Sequence, residues 1–405
     1  MPQKYNKNID KSEKKLLIVN DLGIGDRCGG TQKRIYQLAK ELLKKRVFTS
    51  IFVIADKSAE SLKEDFTYKI HIVYSDKNTI AQTTEEIIVA EDICLVQIHN
   101  TSLLSTRAIP IAKKYGKPVI FFAHDYWPVC GRRSFYTKDK KQCKGTGILK
   151  CMSCIGIKSL INLNLKINNH INKCDIGIAT SNFMIEIYEK NNVLRKKWKK
   201  VTPWVGNEYL SKKTNNVKQE KKIKTILYVG YLDEEKGFFD ILDVFLNLKK
   251  KVLNLKLVAI GDVFSKNKTR IDNILKENNA ENDVKLKGFI NDHNQLANYY
   301  NEADLFAFTS KLEESFGQTW AQALACETPI IAYNTGSVKE LLAGYGTIVK
   351  NGDKEQLKSS IESFFCDKNT QRKAIEKARL GRKYAQKNFS IKKALPILVN
   401  IYDNW

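Results

Sequence analysis

The strongest constraint on this chain is an alternation: short apolar runs rich in Val, Ile and Phe recur, separated by longer stretches with helical spacing. Such a chain folds as a parallel sheet with helices on its faces, so the pattern predicts an α/β protein built from βαβ units. One set of candidate strands covers residues 16–20, 51–55, 93–98, 119–123 and 176–180. A second covers 225–229, 255–260, 284–286, 305–308, 330–333 and 347–349. The lysine-rich stretch 211–224 between them has no apolar period and reads as a linker. A chain of 405 residues exceeds one ordinary core. The expected organisation is a disordered tail over 1–14, a first Rossmann-like domain over 15–210, the linker, and a second such domain over 225–385. A helical tail from 370, broken near Ser390 and Pro396, follows; its last part, 386–405, is expected to cross back to the first domain.

In doubly wound sheets, ligands bind beyond the carboxyl ends of the strands, where loops and helix N-termini converge. The first set ends in Asn20-Asp21, His99-Asn100, His124-Asp125 and Thr180-Ser181, the second in Gly230-Tyr231, Gly261-Asp262, Gly288-Phe289 and Thr309-Ser310. Both edges are rich in Gly, His, Asp and hydroxyl groups, so the two domains are expected to face each other across one cleft. Gly23-Ile24-Gly25 places Cys28 where a dinucleotide fingerprint needs its third glycine, and no phosphate-loop signature occurs anywhere. Gly29-Gly30 precede a helix over 31–45; their bare amides suit an anion, and a plain tight turn is the alternative. His124 closes an apolar strand beside Asp125 and should emerge at the cleft rim, able to meet a sugar hydroxyl or a phosphate oxygen.

Two segments carry the clearest chemistry. Lys236 falls at the start of a helix near Phe238, against the helix dipole, which is explained if a phosphate binds both the ammonium and the helix amides. Over 310–329 a strand ends, a glycine loop carries Glu314, and a helix begins that carries Gln322. Carboxylate and amide acceptors suit a hydroxyl-rich sugar or ribose, and the amides of Ser315, Phe316, Gly317 and Gln318 suit a diphosphate. A capped helix with solvated polar groups is the bland alternative.

The net charge of +24 comes from lysine spread along the chain, with a dense run at Arg195, Lys196, Lys197, Lys199 and Lys200 around Trp198. The run reads either as a solvated face or as a contact for anionic lipid or another polyanion. No basic-aromatic stacking pattern accompanies the charge, so nucleic acid is not an expected partner. No signal-type run or membrane span is visible, and nine cysteines, several in apolar runs, suit a reducing compartment. The expected location is cytoplasmic, with peripheral attachment to the inner membrane face. Cys130, Cys143, Cys151 and Cys154 could hold a structural zinc; free thiols or disulfides are the other readings.

At these residues the sequence resembles the retaining GT-B glycosyltransferases of family 4. Glu235-Lys236-Gly237 and Glu314-Ser315-Phe316-Gly317 followed by Gln322 are similar to that family's second-domain motifs; Gly29-Gly30 with Arg34, and His124-Asp125-Tyr126-Trp127, resemble its first-domain loops. The resemblance implies two tandem doubly wound domains and hexosyl-type transfer from a nucleotide-sugar, with retained configuration, to a glycan or lipid-linked acceptor in cell-surface polysaccharide or glycoconjugate synthesis. It implies His124 and Glu314 as catalytic groups, and Gly30, Tyr231, Lys236, Ser315, Phe316, Gly317 and Gln322 around the donor. Arg34, Asp125 and Tyr126 would stand on the acceptor side. No D-x-D occurs, which agrees with a metal-independent site without a catalytic cofactor. Two positions depart from the family: Tyr231 stands where an arginine is usual, and Gln322 where a second glutamate is usual. A nucleotide-sugar epimerase on the same scaffold, or a non-catalytic polyanion-binding protein, are the competing readings.

Overall fold

The computed structural model of the chain describes residues 14–20, 30–56, 68–76, 79–99, 105–139, 141–143, 145–162, 167–211 and 223–405. The tail before Lys14, the glycines 23, 25 and 29, Cys28 and the linker stretch 212–222 lie outside the described residues.

Strands β1 (Lys15–Asn20), β2 (Ser50–Asp56), β3 (Ile70–Ser75), β4 (Leu95–His99), β5 (Val119–Phe122), β6 (Ile176–Ala179) and β7 (Trp198–Lys200) form one sheet, in the order β3-β2-β1-β4-β5-β6-β7. Strands β8 (Lys224–Val229), β9 (Leu255–Ile260), β10 (Val284–Leu286), β11 (Leu305–Phe308), β12 (Ile330–Tyr333) and β13 (Thr347–Val349) form the other, ordered β10-β9-β8-β11-β12-β13. Every pairing is parallel. Central strands such as β4, buried along its whole length, are covered by helices on both faces, which is why they read as continuous apolar runs. In each sheet the strand order reverses next to the first strand, at β1/β4 and at β8/β11. These switch points are where the loops part and leave a crevice.

Two edge strands were absent from the sequence reading, for a common reason. Strand β3 is covered only in part, so its residues are mixed rather than apolar. Strand β7 lies inside the lysine run. Trp198 covers Gly177 of β6, where a side chain would collide with the indole, and packs on Tyr188 with ring centroids 4.7 Å apart. The neighbouring Lys199 and Lys200 are exposed, and charged residues of this kind keep an edge strand from pairing further. The run is therefore a folded edge strand over part of its length.

The C-terminal segment straps the two sheets together. Helix Lys368–Asn388 buries Arg382, which donates to the carbonyls of Ala325 (2.7 Å) and Leu210 (3.1 Å). The break falls at Ser390, the N-cap of helix Ile391–Tyr402. Pro396 lies inside this helix and does not break it, contrary to the sequence expectation. Ala394, Leu395, Leu398, Ile401 and Tyr402 pack into the same core as Leu16, Ile18, Ile35 and Leu38 of the first sheet and its first helix. Conversely, Val205 and Tyr209, which precede the linker, pack into the second sheet's core with Phe316, Trp320 and Phe389.

Leu398 is buried, so truncating it leaves a cavity in the first core. Leu398→Ala is expected to lower stability by about 2–5 kcal/mol, measured by urea unfolding; a change below about 0.5 kcal/mol, the range of ordinary surface substitutions, would show that the helix does not complete that core.

Candidate active site

A cleft opens at the β8/β11 switch point of the second sheet, a cavity of about 420 Å³. The loop after β8 carries Gly230, Tyr231 and Lys236 into its wall, and the loop after β11 carries Thr309, Ser310, Glu314 and Gly317. Two helix N-termini adjoin it, those of Phe238–Leu248 and Gln318–Ala325, each with a left-handed glycine at its N-cap, Gly237 (φ 71°) and Gly317 (φ 82°). A side chain at Gly237 would also meet the Thr309 carbonyl at 1.8 Å, so glycine there lets the two loops lie against each other. The Thr309 hydroxyl donates to the Gly237 carbonyl (2.8 Å), and the Lys311 amide to the Glu235 carbonyl (2.9 Å).

Within this frame Lys236 Nζ lies 2.7 Å from Glu314 Oε1, which also accepts from Ser310 Oγ at 2.7 Å. Burial works against the lysine's charge, but Glu314, with Asp233 and Glu235, outweighs it and leaves the pKa above the ordinary lysine value. The cleft therefore presents a permanent cation shared with one carboxylate, beside two sets of helix amides. Gln322 is buried at the cavity wall, and its Oε1 accepts from the Tyr300 hydroxyl at 3.2 Å. That bond occupies the acceptor and leaves Gln322 with N–H groups to offer. Tyr231, half exposed, stacks on Phe264 with ring centroids 5.8 Å apart.

The first domain closes on this loop from the other side. Ser315 Oγ donates to the His124 carbonyl (2.7 Å), and Thr180 Oγ1 donates to the Ser315 carbonyl (2.6 Å). The Glu313 amide donates to the Ser134 carbonyl (3.0 Å), while the Glu313 carboxylate accepts from Gln142 and from the Gly336 amide. Gly30, at the start of helix Gly30–Lys44, lines the cavity, and Arg34 one turn on donates to Gln318 Oε1 (3.1 Å). Burial lowers the Arg34 pKa to about 10, still far above neutrality.

Several sequence-picked residues stand elsewhere than expected. Phe316 packs in the second core against Trp320 and Phe389, and the Ser315 side chain is spent on the first domain, so neither lines the donor cavity. Tyr126 is buried in the first core rather than on an acceptor-facing surface. Asp125 accepts from the Trp127 amide (2.9 Å) and sits 3.7 Å from Arg133. Burial raises its pKa above the ordinary carboxylate value.

His124 does not emerge at the rim of the main cavity. It lines a second, small apolar cavity with Arg34, His99, Phe122 and Trp204. Its Nε2 lies 3.0 Å from His99 Nδ1, and His99 Nε2 lies 3.1 Å from Gln97 Oε1. If Gln97 accepts from His99, then His124 must donate to His99, which makes the buried, unpartnered His124 Nδ1 an acceptor. The zinc set is not assembled: among the described residues no group of three or more His, Cys, Asp or Glu could hold a metal. Cys130 and Cys143 pack against the first core, whereas Cys151 and Cys154 sit on helix Ile148–Ile155.

Sequence reasoning missed Asp262, Phe289, Thr309 and Ser310 as cavity residues, although each belongs to a strand end it had singled out. His293 also lines the cavity and had no such signal.

The architecture is that of the GT-B fold. The Anabaena protein HepE, solved with UDP, superposes with a TM-score of 0.73 at 15% identity, over 97% of this chain and 100% of that one. Residues 211–381 match the family of glycosyl transferases group 1. The capsular polysaccharide biosynthesis glycosyltransferase CapM of Staphylococcus aureus is 28% identical over 194 residues, 46% of this chain and 49% of that protein. The 2-deoxystreptamine N-acetyl-D-glucosaminyltransferase of Niallia circulans is 30% identical over 129 residues, 32% of each chain. The chain thus spans about half the length of the first of these relatives and about a third of the second.

Burial pushes the His99 pKa down to about 3 and also holds His124 well below its ordinary value, with His99 and Arg34 adding to the latter. A histidine whose pKa is lower folded than unfolded stabilises the fold above the unfolded value of 6.5 and loses that contribution as pH falls toward the folded value. Stability should therefore drop on acidification below about pH 6.5. His99→Phe should flatten the drop by up to about 1.4 kcal/mol per pH unit, read from urea unfolding at stepped pH; an unchanged slope would place His99 in water.

Proposed function

We propose that the chain is a retaining, metal-independent glycosyltransferase that moves a hexosyl group from a UDP-sugar to a glycan or lipid-linked acceptor in cell-surface polysaccharide synthesis. The single observation that carries this reading is the Lys236–Glu314 pair, 2.7 Å apart, at a parallel-sheet switch point bordered by two helix N-termini. The UDP in the HepE structure and the capsular role in the name of CapM support the donor and the acceptor class.

The chemistry follows from what must be stabilised. Breaking the bond between the anomeric carbon and the diphosphate oxygen leaves negative charge on the phosphates and positive character on the sugar. The Lys236 ammonium and the amides at Gln318 and Thr319 lie where they can take up the first of these without a divalent ion. Glu314 is held by Ser310, so its carboxylate can accept from donor-sugar hydroxyls while still facing Lys236. Gln322, its carbonyl engaged by Tyr300, would donate to a ribose oxygen. Phe289 and Tyr231 supply aromatic surface at the mouth for a nucleobase. His124 Nδ1 would accept from a hydroxyl of the transferred sugar or of the acceptor once the two domains part enough to admit it.

The competing epimerase calls for more carboxylates than Glu314 and Asp262 provide among the lining residues, and the polyanion-binding alternative leaves the built cavity unexplained.

Thermal-shift titrations with UDP, GDP, ADP and their sugars are the direct test: UDP at a hundred times its Kd should add about 2.7 kcal/mol of stability. Lys236→Ala should lower turnover about 100-fold or more, whereas Gln322→Ala should chiefly raise KM for the donor. Nucleotide binding without transfer or hydrolysis of any nucleotide-sugar would overturn the reading, as would equal and small effects of the two substitutions.

A further inference from the structure

Outside the cleft, the most conspicuous surface is the pair of short helices Ile148–Ile155 and Ile157–Ile161. The first buries none of its residues, yet Ile148 is 73% and Leu149 78% exposed, and Met152 beside them is exposed as well. Ile157 and Ile161 on the second helix are also open to water. Helix Ile148–Ile155 has its apolar groups clustered, with Ile155 lying against Gly131 and Leu160 of the next helix buried as a second anchor. The body thus holds the hairpin by one side and turns the other outward. A monomer rarely leaves a contiguous apolar patch of this kind uncovered.

The charge around the patch selects its occupant. Between Asp139 and Asp175 the sequence has no acidic residue, while lysines stand at 140, 141, 144, 150, 158, 166 and 173. Lys150, Lys158 and Lys173 are exposed among or beside the apolar groups. Thr146 Oγ1 donates to Asn191 Oδ1 (2.6 Å), and the Asn172 side chain donates to the Asn192 carbonyl (3.3 Å). These bonds place the hairpin beside the turn that bears exposed Arg195, Lys196 and Lys197. Apolar side chains interleaved with and rimmed by cations are the chemistry of an anionic bilayer surface, where lysine stems lie along the interface and their heads meet phosphate. A protein partner or a second copy would need acidic residues opposite the lysines, and the hairpin has none to offer a copy of itself, the carboxylate closest to the basic turn, Glu189, being engaged by the Lys196 amide (3.1 Å). No helix among the described residues is long and apolar enough to cross a membrane, so the contact is one of surface docking.

We infer that helices Ile148–Ile155 and Ile157–Ile161, with the flanking lysines and the Arg195–Lys197 turn, form a docking surface for an anionic lipid bilayer. Gln142 bonds to Glu313, the neighbour of Glu314 in the wall of the donor cleft, and only five residues separate it from Ile148, a span of at most about 20 Å. Docking therefore brings the cleft close to the headgroup layer, where a lipid-linked acceptor would present its sugar or phosphate. That last step rests on the glycosyltransferase reading; the docking itself does not.

The test is flotation of the full chain with vesicles of phosphatidylcholine alone and of phosphatidylcholine mixed with phosphatidylglycerol. Binding to the mixed vesicles, weakened by salt, and little to the neutral ones is expected. Leu149→Glu combined with Ile157→Glu should reduce binding to the mixed vesicles at least about tenfold, and Lys150→Glu combined with Lys158→Glu should do so with a shallower salt dependence. The residues are exposed, so melting temperature and the UDP-induced thermal shift should stay at wild-type values in both variants; these readouts separate a failure of docking from a failure of the donor-site reading. Absence of wild-type binding, or wild-type binding by Leu149→Glu with Ile157→Glu, overturns the proposal. So does a wild-type dimer in size-exclusion chromatography that this pair of substitutions dissolves, since the patch then belongs to a second copy.

Discussion

Everything in the cleft depends on the short loop from Thr309 to Gln318, because both halves of the molecule grip it. From its own domain it is held by Gly237, by Gly336, whose amide reaches Glu313, and by Ser337, whose amide bonds to the Glu314 carbonyl at 2.9 Å. A side chain at Gly336 would meet that same carbonyl at 2.1 Å. From the first domain, Thr180, Ser134, Gln142, Arg34 and the His124 carbonyl all bond to it. Hydrogen bonds of this kind contribute about 0.5–1.5 kcal/mol each, so the clasp amounts to a few kcal/mol. That is enough to hold the loop against the first domain. Glu314 is thus positioned by the domain interface as much as by its own domain.

The polar groups around the cavity divide labour by what already occupies them. Glu314 spends one oxygen on both Lys236 and Ser310, so the lysine's charge is kept in place rather than left to wander. Gln322 differs: Tyr300 donates to its carbonyl, and its amide N–H groups are what it has left to offer. Tyr231, its ring stacked on Phe264, gives that part of the wall an aromatic surface.

How much of this was legible follows from how each residue signals its surroundings. Buried parallel strands announce themselves as apolar runs, so the α/β class and the strand ends that build the site could be read directly. Lys236, Glu314 and Gln322 were found because a charged or polar residue after such a run has few structural reasons to be there. Edge strand β3 is half solvated and its apolar run is interrupted by His71; in β7 the lysines conceal a strand whose inward residue is Trp198. Phe316 and Tyr126 are motif residues whose work is packing, and spacing cannot tell a ring in the core from one at the rim. His124 shows the same limit. Its place at a strand end was visible, but the small cavity that encloses it is walled by Arg34, His99 and Phe122 of its own domain and by Leu398 of the C-terminal helix, residues far apart in the chain.

The strap at the end of the chain has a consequence for biosynthesis. The face of the first sheet that bears Leu16, Ile18, Ile51 and Ile120 is completed by Leu395, Leu398 and Tyr402. A ribosome emits residues in order, so that face is covered only by the first helix, Val201 and Trp204 while the second domain is made. The core of the first domain is therefore completed only when the helix Ile391–Tyr402 folds back over it. During that interval the nascent chain carries an apolar face with a gap where Leu395, Leu398 and Tyr402 will sit, a state that invites a chaperone.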